Sequence, residues 1–436
     1  MKALKTIICC LLIISDTALL FGCSDNAAVT GANDFVSIAS TSGTLSEPVT
    51  INWLSFRGDD EQINGKLIKK FEYEYPGLRV AIRTIKEESQ YYNKLDLIIS
   101  SGEELEIFQT HTSSYMVKLA KKGLLEDLTN CPFSKNVFEN ILPITTIDGK
   151  VVAMLQSVNL ILVYYNKKIF EKYKLAVPSR FEKLMEIVEK LKDNGEGGIA
   201  YPGKTVKSRW VFNMVSFPQL TPEGYVKMWD GLCSGRRTTI SDIPEMVNTY
   251  YILADIYNSR LFYEDSYDID IVEASELFAK GKAPMMVMGT WKIGTAGKEF
   301  PDIDFGVFPF PLNDKMNAAY GEAGQATAIY SKSKNIEEAK RFMEFLFSPE
   351  VENIYCTETK QTPTIKGVKA NYDMQYLVSD VMEKGFYILQ PVSNDQYENF
   401  LNIFEKSSEN VLFNGCNVDD EINTLESKLI TQLKSK

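Results

Sequence analysis

VTINWLSFRGDDEQINGKLIKKFEYEYPGLRVAIRTI, residues 49–85, is the stretch that decides the fold class. Val49–Phe56 is a short β-branched and aromatic run, so it reads as a buried strand. Asp59 and Asp60 are helix starters, and Ile63, Leu67, Ile68 and Phe71 then recur at helical spacing. Pro76-Gly77 stops that helix, and Leu78–Ile85 is apolar and β-branched again. Strand, helix, strand in this order predicts a parallel βαβ unit, whose sheet needs helices on both faces.

The pattern continues toward the C-terminus. Tyr91–Ser101 reads as a helix closed by Gly102, Leu105–Phe108 as a short strand, and Ser114–Lys122 as a helix stopped by Gly123. Val151–Tyr165 is a long apolar run split at Gln156-Ser157-Val158-Asn159, as expected of one strand leaving a first sheet and another entering a second. Ser179-Arg180-Phe181-Glu182 and Asn335-Ile336-Glu337-Glu338 have the form of capping boxes. Residues 203–235 mix Trp210, Pro218, Pro222 and Trp229 with short amphipathic pieces. Met246–Tyr257 and Ile271–Ala279 read as helices, and Ala283–Thr290, Phe305–Phe310 and Ala326–Tyr330 as strands. Ser348-Pro349 opens a further helix with proline at its first position. Ile422, Leu425, Leu429, Ile430 and Leu433 predict an amphipathic helix at the end.

Working back from Val49, residues 24–48 are rich in Ser, Thr, Ala, Gly and Asn and cannot bury enough surface to fold. They read as a tether with a reach of roughly 25–30 Å. Ahead of them lie a basic start (Lys2, Lys5), an apolar stretch from Thr6 to Ile14, and Leu20-Phe21-Gly22-Cys23. This is the layout of a secretory leader, residues 1–22, ending at a cysteine after a small residue, the point where a bacterial lipoprotein takes its lipid. Asp16 is unusual in such a leader, and an ordinary signal peptide with an incidental cysteine is the alternative. The apolar run is too short to span a bilayer.

The 436 residues suffice for two domains beyond this leader. A net charge of −11 without basic blocks makes nucleic acid a poor partner. Cys131, Cys233, Cys356 and Cys416 are widely spaced, show no metal-ligand spacing, and are expected as free thiols, with one disulfide the alternative. No P-loop, His-Glu-x-x-His, nucleophile elbow or dinucleotide fingerprint is present, and no cofactor is expected.

Four blocks in order then resemble the family 1 extracellular solute-binding proteins, receptors of bacterial carbohydrate ABC importers. They are residues 92–129, residues 151–195 with Tyr165-Asn166-Lys167 and Pro178, ELFAKGKAPMMVMGTW at 276–291, and YGEAGQATAIYSKSKNIEEAKRFMEFLFSPE at 320–350. Leu105-Glu106 stands where the family has Pro-Asp, a departure expected to lie near the ligand cleft, and Pro284-Met285 where it has Ala-Met. The resemblance implies an α/β, two-lobed periplasmic-binding-protein type II fold, its discontinuous lobes joined by hinge strands. Lobe 1 would comprise 49–157 plus 322–363, and lobe 2 158–321 plus 364–436. It implies a monomer, held to the membrane only by the Cys23 lipid on the extracytoplasmic face, that passes a carbohydrate to permease subunits.

Sugars present hydroxyls that suit carboxylates and amides, and C–H faces that suit aromatic rings. Trp291 matches the family's Gly-x-Trp position, where an aromatic stacks on sugar; packing between strand and helix is the alternative. Asp59 and Asp60 follow the first strand, where ligand sites lie at strand carboxyl ends, or serve as helix caps. Gln109, His111 and Thr112 follow the third strand in the same way, although a lone histidine is ordinarily structural. Gln156 and Asn159 at the first crossing are candidates for hydroxyls or for hinge backbone groups. Glu322 lies in the glycine loop of the second crossing, and Trp210 and Tyr320 are further aromatic candidates whose default is packing. Glu264, Asp265, Asp268 and Asp270 form an acidic cluster without a calcium-loop pattern and read as solvated. A glycosidase would need paired carboxylates in a catalytic block, which is not recognisable here. A non-sugar cargo or a sensory role is compatible with the same fold.

Overall fold

The computed structural model describes residues 47–139, 141–312, 319–371, 377–378, 381, 386–388 and 397–434. The leader, Cys23 and the tether as far as residue 46 lie outside these residues.

β1 (Val49–Ser55), α1 (Glu61–Glu74) and β2 (Leu78–Thr84) form the parallel βαβ unit, with Val49 opposite Leu78 and Ser55 opposite Thr84. α1 buries Ile63, Leu67, Ile68 and Phe71, the stripe read from the sequence. Trp53 is 1% exposed and meets the Phe342 ring edge-on. α2 (Glu88–Ser101) begins where the Glu87 carboxylate accepts the Ser89 and Gln90 amides, and ends at Gly102 with φ +71°, a conformation that favours glycine. β3 (Ile107–Thr110) and α3 (Ser114–Lys121) follow.

β4 (Thr146–Ile147) and β5 (Lys150–Val151) make a small hairpin, and β6 (Met154–Leu155) joins the first sheet. Further along, β12 (Ala326–Ile329) completes that sheet in the order β2-β1-β3-β12-β6. α11 (Ile336–Leu346) and α12 (Pro349–Thr359) cover it.

β7 (Val158–Asn166) is the central strand of the second sheet and is buried along its length except at Asn159 and Tyr165. A continuous apolar run is what a strand covered on both faces requires. Its partners are β9 (Met285–Gly289), β10 (Phe305–Phe308) and β11 (Ala319–Ala323), all antiparallel, while β8 (Ile199–Ala200) runs parallel to β9 and β13 (Phe386–Ile388) parallel to β11. α4 (Lys167–Lys172), α5 (Phe181–Asp193), α6 (Gly203–Val206), α7 (Arg209–Cys233), α8 (Pro244–Asn258), α9 (Ile271–Ala279) and α10 (Trp291–Glu299) belong to this half, with helices Tyr397–Leu412 and Val418–Lys434 packed on α8.

Three segments link the sheets and are bonded side by side. Gln156 N–H donates to the Gln325 carbonyl at 3.1 Å, Gly324 N–H to Ser157 at 3.0 Å, and Val158 N–H to Thr362 at 3.2 Å. A Cβ on Gly324 would meet Ser157 Oγ at 2.5 Å, so this close approach requires glycine.

Several local expectations are corrected. Residues 209–233 form one helix despite Pro218 and Pro222, rather than short pieces. Asn335 holds the N-cap position of α11 without a side-chain cap; its amide instead donates to Glu106 at 3.3 Å. The N-cap position of α5 is Arg180, one residue after Ser179. Asp270, one of the acidic cluster expected to be solvated, makes a full capping box with Glu273. Glu106 immediately precedes β3, at the end of that strand away from the linking segments. There it is 2% exposed and accepts the Asn52 N–H at 2.7 Å and the Ser333 hydroxyl at 2.9 Å. The four described cysteines are free thiols.

Candidate functional site

In the first sheet the carboxyl ends of β1 and β3 lie at the edge where the linking segments leave, because Thr110 opposes Ala326 and Ala326 opposes Leu155. In the second sheet β7 starts at that edge, and Glu322 opposes Asn159 across the β11–β7 pair. β9 reaches the same edge: Gly289 opposes Ile161, and Thr290 N–H donates to Leu160. Two groups of candidate residues therefore gather at the edges from which the three links run.

On the second sheet, Trp291 opens α10, two residues beyond the end of β9. It is half-buried and meets the Trp210 ring edge-on, with centroids 5.8 Å apart. A Cβ on Gly289 would overlap the Trp291 ring, so glycine there lets the indole lie against the strand. Trp210 is 2% exposed and donates its indole N–H to Glu322 Oε1 at 2.9 Å. Tyr320, also 2% exposed, donates to the same oxygen at 3.2 Å and accepts from Asn213 at 3.1 Å. Trp210 and Tyr320 thus sit beneath the surface and aim Glu322, which is half-exposed. Burial, and then the Glu322 charge, hold the Tyr320 hydroxyl well above its ordinary pKa, so it stays a donor.

Arg209, which no motif singled out, reaches Glu322 Oε1 only at 3.8 Å from Nε. That distance is an ion pair but not a hydrogen bond. Arg209 Nε, Asn159 Oδ1, Ser157 Oγ and Thr362 Oγ1 are buried without a hydrogen-bonding partner among the described residues. Buried polar atoms are normally paired, so these retain capacity for a hydroxyl or a water.

On the first sheet, His111 and Thr112 are half-exposed after β3. The His111 ring lies 4.8 Å from that of Phe56, and its Nε2 is 3.2 Å from Glu88. Gln109 and Gln156, candidates for hydroxyls, lie beneath this edge. Both are buried, and Gln156 Oε1 accepts from Gln109 at 3.4 Å and from Thr327 at 3.5 Å, while Ser55 donates to Gln109 at 2.7 Å. They tie β1, β3 and β12 to the first link. Asp59 is exposed and Asp60 is buried, and neither caps a helix by its side chain. Asp60 instead accepts from Arg57 at 3.2 Å and from the Tyr355 hydroxyl at 2.7 Å, and Tyr355 accepts from Gln325 at 2.9 Å. This chain fixes the half-buried Arg57 guanidinium at the same edge. Burial opposes its charge, but Asp60 and Tyr355 more than offset that and raise its pKa.

Among the described residues no group of three or more His, Cys, Asp or Glu is placed to hold a metal ion, and no helix is long and apolar enough to cross a membrane.

Two α/β halves, linked by three strand segments whose edges carry aromatic, carboxylate and guanidinium groups, define a two-lobed solute-binding protein. The chain belongs to the family of bacterial extracellular solute-binding proteins, whose sequence profile matches residues 58–353. It is 21% identical over 328 residues to the multiple sugar-binding protein of Streptococcus mutans, covering 74% of this chain and 77% of that one. Its fold is similar to apo RafE of Streptococcus pneumoniae, with a TM-score of 0.75 at 19% identity over 89% of this chain and 98% of that one. RafE in complex with raffinose superposes with a TM-score of 0.64 at 18% identity, over 88% and 99% of the two chains.

Proposed function

We propose that this chain is the lipid-anchored receptor of a carbohydrate ABC importer, capturing an oligosaccharide between lobe 1 (49–157 plus 322–363) and lobe 2 (158–321 plus 364–436). The observation that carries the reading is the half-exposed Trp291 indole, backed by Trp210, beside Glu322, Asn159 and Arg209. A ring face with adjacent carboxylate, amide and guanidinium suits a pyranose, whose C–H face stacks while its hydroxyls donate and accept. The relatives support the cargo class, since one is named for sugars and another was captured with raffinose. They are binding proteins, and no turnover is assigned to this chain. Ligand contact with both edges would favour a closed arrangement of the lobes, the state a transporter can read. The Cys23 lipid would keep the receptor near its permease.

The test is a thermal-shift screen of the full chain against a glycan panel, because a ligand that binds only the folded state raises the melting temperature. An oligosaccharide is expected to raise it, and Trp291→Ala is expected to weaken that ligand by roughly tenfold or more with the fold intact. A response confined to peptides, polyamines or anions refutes the cargo class. Release of shorter sugars refutes the receptor role.

A further inference from the structure

A second cavity, of about 820 Å³, lies on the other end of the second sheet. Its floor is Gly197-Gly198, immediately before β8. Since β8 runs parallel to β9, and β9 ends at the cleft edge, these glycines lie at the far end. Both are required there: a Cβ on Gly198 would come within 2.7 Å of the Phe262 carbonyl, and one on Gly197 would overlap the Lys282 carbonyl.

Its walls are aromatic and acidic. Tyr257 and Tyr267 are 42% and 44% exposed, among the few large apolar side chains the described surface leaves open, and both line this one cavity. Tyr263 and Phe413 add two more rings, with Phe413 5.0 Å from Tyr267. Glu264, Asp265 and Asp268 reach the same space and form no ion pair among the described residues. The loop that carries them is held in shape: Ser266 is 4% exposed, its carbonyl accepts from Gly203 at 2.9 Å, and its hydroxyl accepts from Tyr201 at 3.4 Å. Lys192, whose amine donates to the Arg260 carbonyl, and Arg260 line the same cavity as the carboxylates, so an ion of either sign meets like charge here, whereas an uncharged polyhydroxyl finds donors, acceptors and ring faces.

We propose that this cavity is a second carbohydrate site, taking neutral sugar units independently of the interlobe cleft. Every lining residue falls within 192–268 or 412–414, on the half that holds the second sheet, so a ligand here touches one lobe only. It has no differential affinity for open and closed arrangements and cannot drive closure. Its role is to hold a longer glycan at the receptor's flank.

The test uses the full chain labelled with 3-fluorotyrosine, with maltotriose, raffinose and xylotriose as probes at millimolar concentration. The ¹⁹F resonances of Tyr257, Tyr263 and Tyr267, assigned by phenylalanine substitution, are expected to shift with at least one probe, and to do so equally in Trp291→Ala. Tyr257→Ala/Tyr267→Ala should weaken that response roughly tenfold or more while leaving cleft affinity unchanged. If none of the three probes moves these resonances, or if Trp291→Ala abolishes the shifts, the proposal is overturned. The comparison with Trp291→Ala separates this outcome from failure of the cleft reading.

Discussion

Glu352→Gln is expected to make the protein more stable, and increasingly so as pH rises. Glu352 lies on α12, is 1% exposed, and accepts from the Thr364 N–H at 2.8 Å and hydroxyl at 3.0 Å. The Thr364 hydroxyl shares its one proton between Glu352 and the Leu155 carbonyl, also 3.0 Å away, so this carboxyl braces the third link against the first. Burial pushes its pKa from 4.5 up to about 7, because two hydrogen bonds from Thr364 only partly replace lost hydration. Between those values the folded state keeps a proton that the unfolded state has released, so stability falls as pH rises through the window. The shift corresponds to about 3 kcal/mol, fully expressed above pH 7 and absent below about pH 4.5. Glutamine keeps an acceptor for Thr364 and cannot ionise. Its melting temperature should match the wild type near pH 4.5 and exceed it by about 4 °C at pH 8, given the entropy of unfolding a body of this size. Scanning calorimetry of both proteins across pH 4.5–8 measures the difference. Parallel curves would refute the reasoning, since they would mean that Glu352 is as well solvated as an ordinary surface carboxylate.

Glu322→Ala strips the acceptor from the buried Trp210 and Tyr320 donors and should destabilise by about 1–3 kcal/mol, whereas Glu322→Gln should change stability by less than about 1 kcal/mol because the Arg209 pair is partly exposed; equal losses in urea titration would count against the assigned geometry. Tyr355→Phe leaves buried Asp60 on Arg57 alone and removes the acceptor for Gln325, with an expected loss of about 1–3 kcal/mol by the same assay and none if water substitutes freely. Gly289→Ala places a methyl where the Trp291 ring lies. It should weaken sugar binding with little change in circular dichroism, and unchanged affinity would remove the indole from the site. Cys23→Ser should shift the protein from the membrane to the soluble fraction at unaltered ligand affinity, and retention on membranes would refute the lipid anchor.

The first βαβ unit was legible nearly to the residue, because strand, helix and breaker signals there are all local. α7 was not: Pro218 and Pro222 look like breaks, and only packing against α8 and helix Tyr397–Leu412 shows that the helix runs on through them. Ser348-Pro349 was read correctly, with the Ser348 hydroxyl accepting from Val351 N–H at 3.3 Å, whereas Asn335 had a competing partner in Glu106, far away in sequence. A cap motif states what a side chain can do locally, and a distant acceptor decides whether it does.

The candidate site divides in the same way. Trp291, Asn159, Glu322, His111 and Thr112 are half-exposed at the linked edges, while Gln109, Gln156, Asp60, Trp210 and Tyr320 are buried and partnered. Nothing in sequence distinguishes a buried amide that is paired from an exposed one that is free, because that depends on partners up to hundreds of positions away. Arg209 and Tyr355 were silent for the same reason. By itself the sequence determined the α/β class, the change of sheet at Gln156–Asn159 and the family, all of which rest on periodicity, breakers and short motifs. Only the tertiary structure decided which polar groups face outward at the linked edges and which serve as struts beneath them. Hydrogen bonding and desolvation are settled between elements, and no local pattern records them.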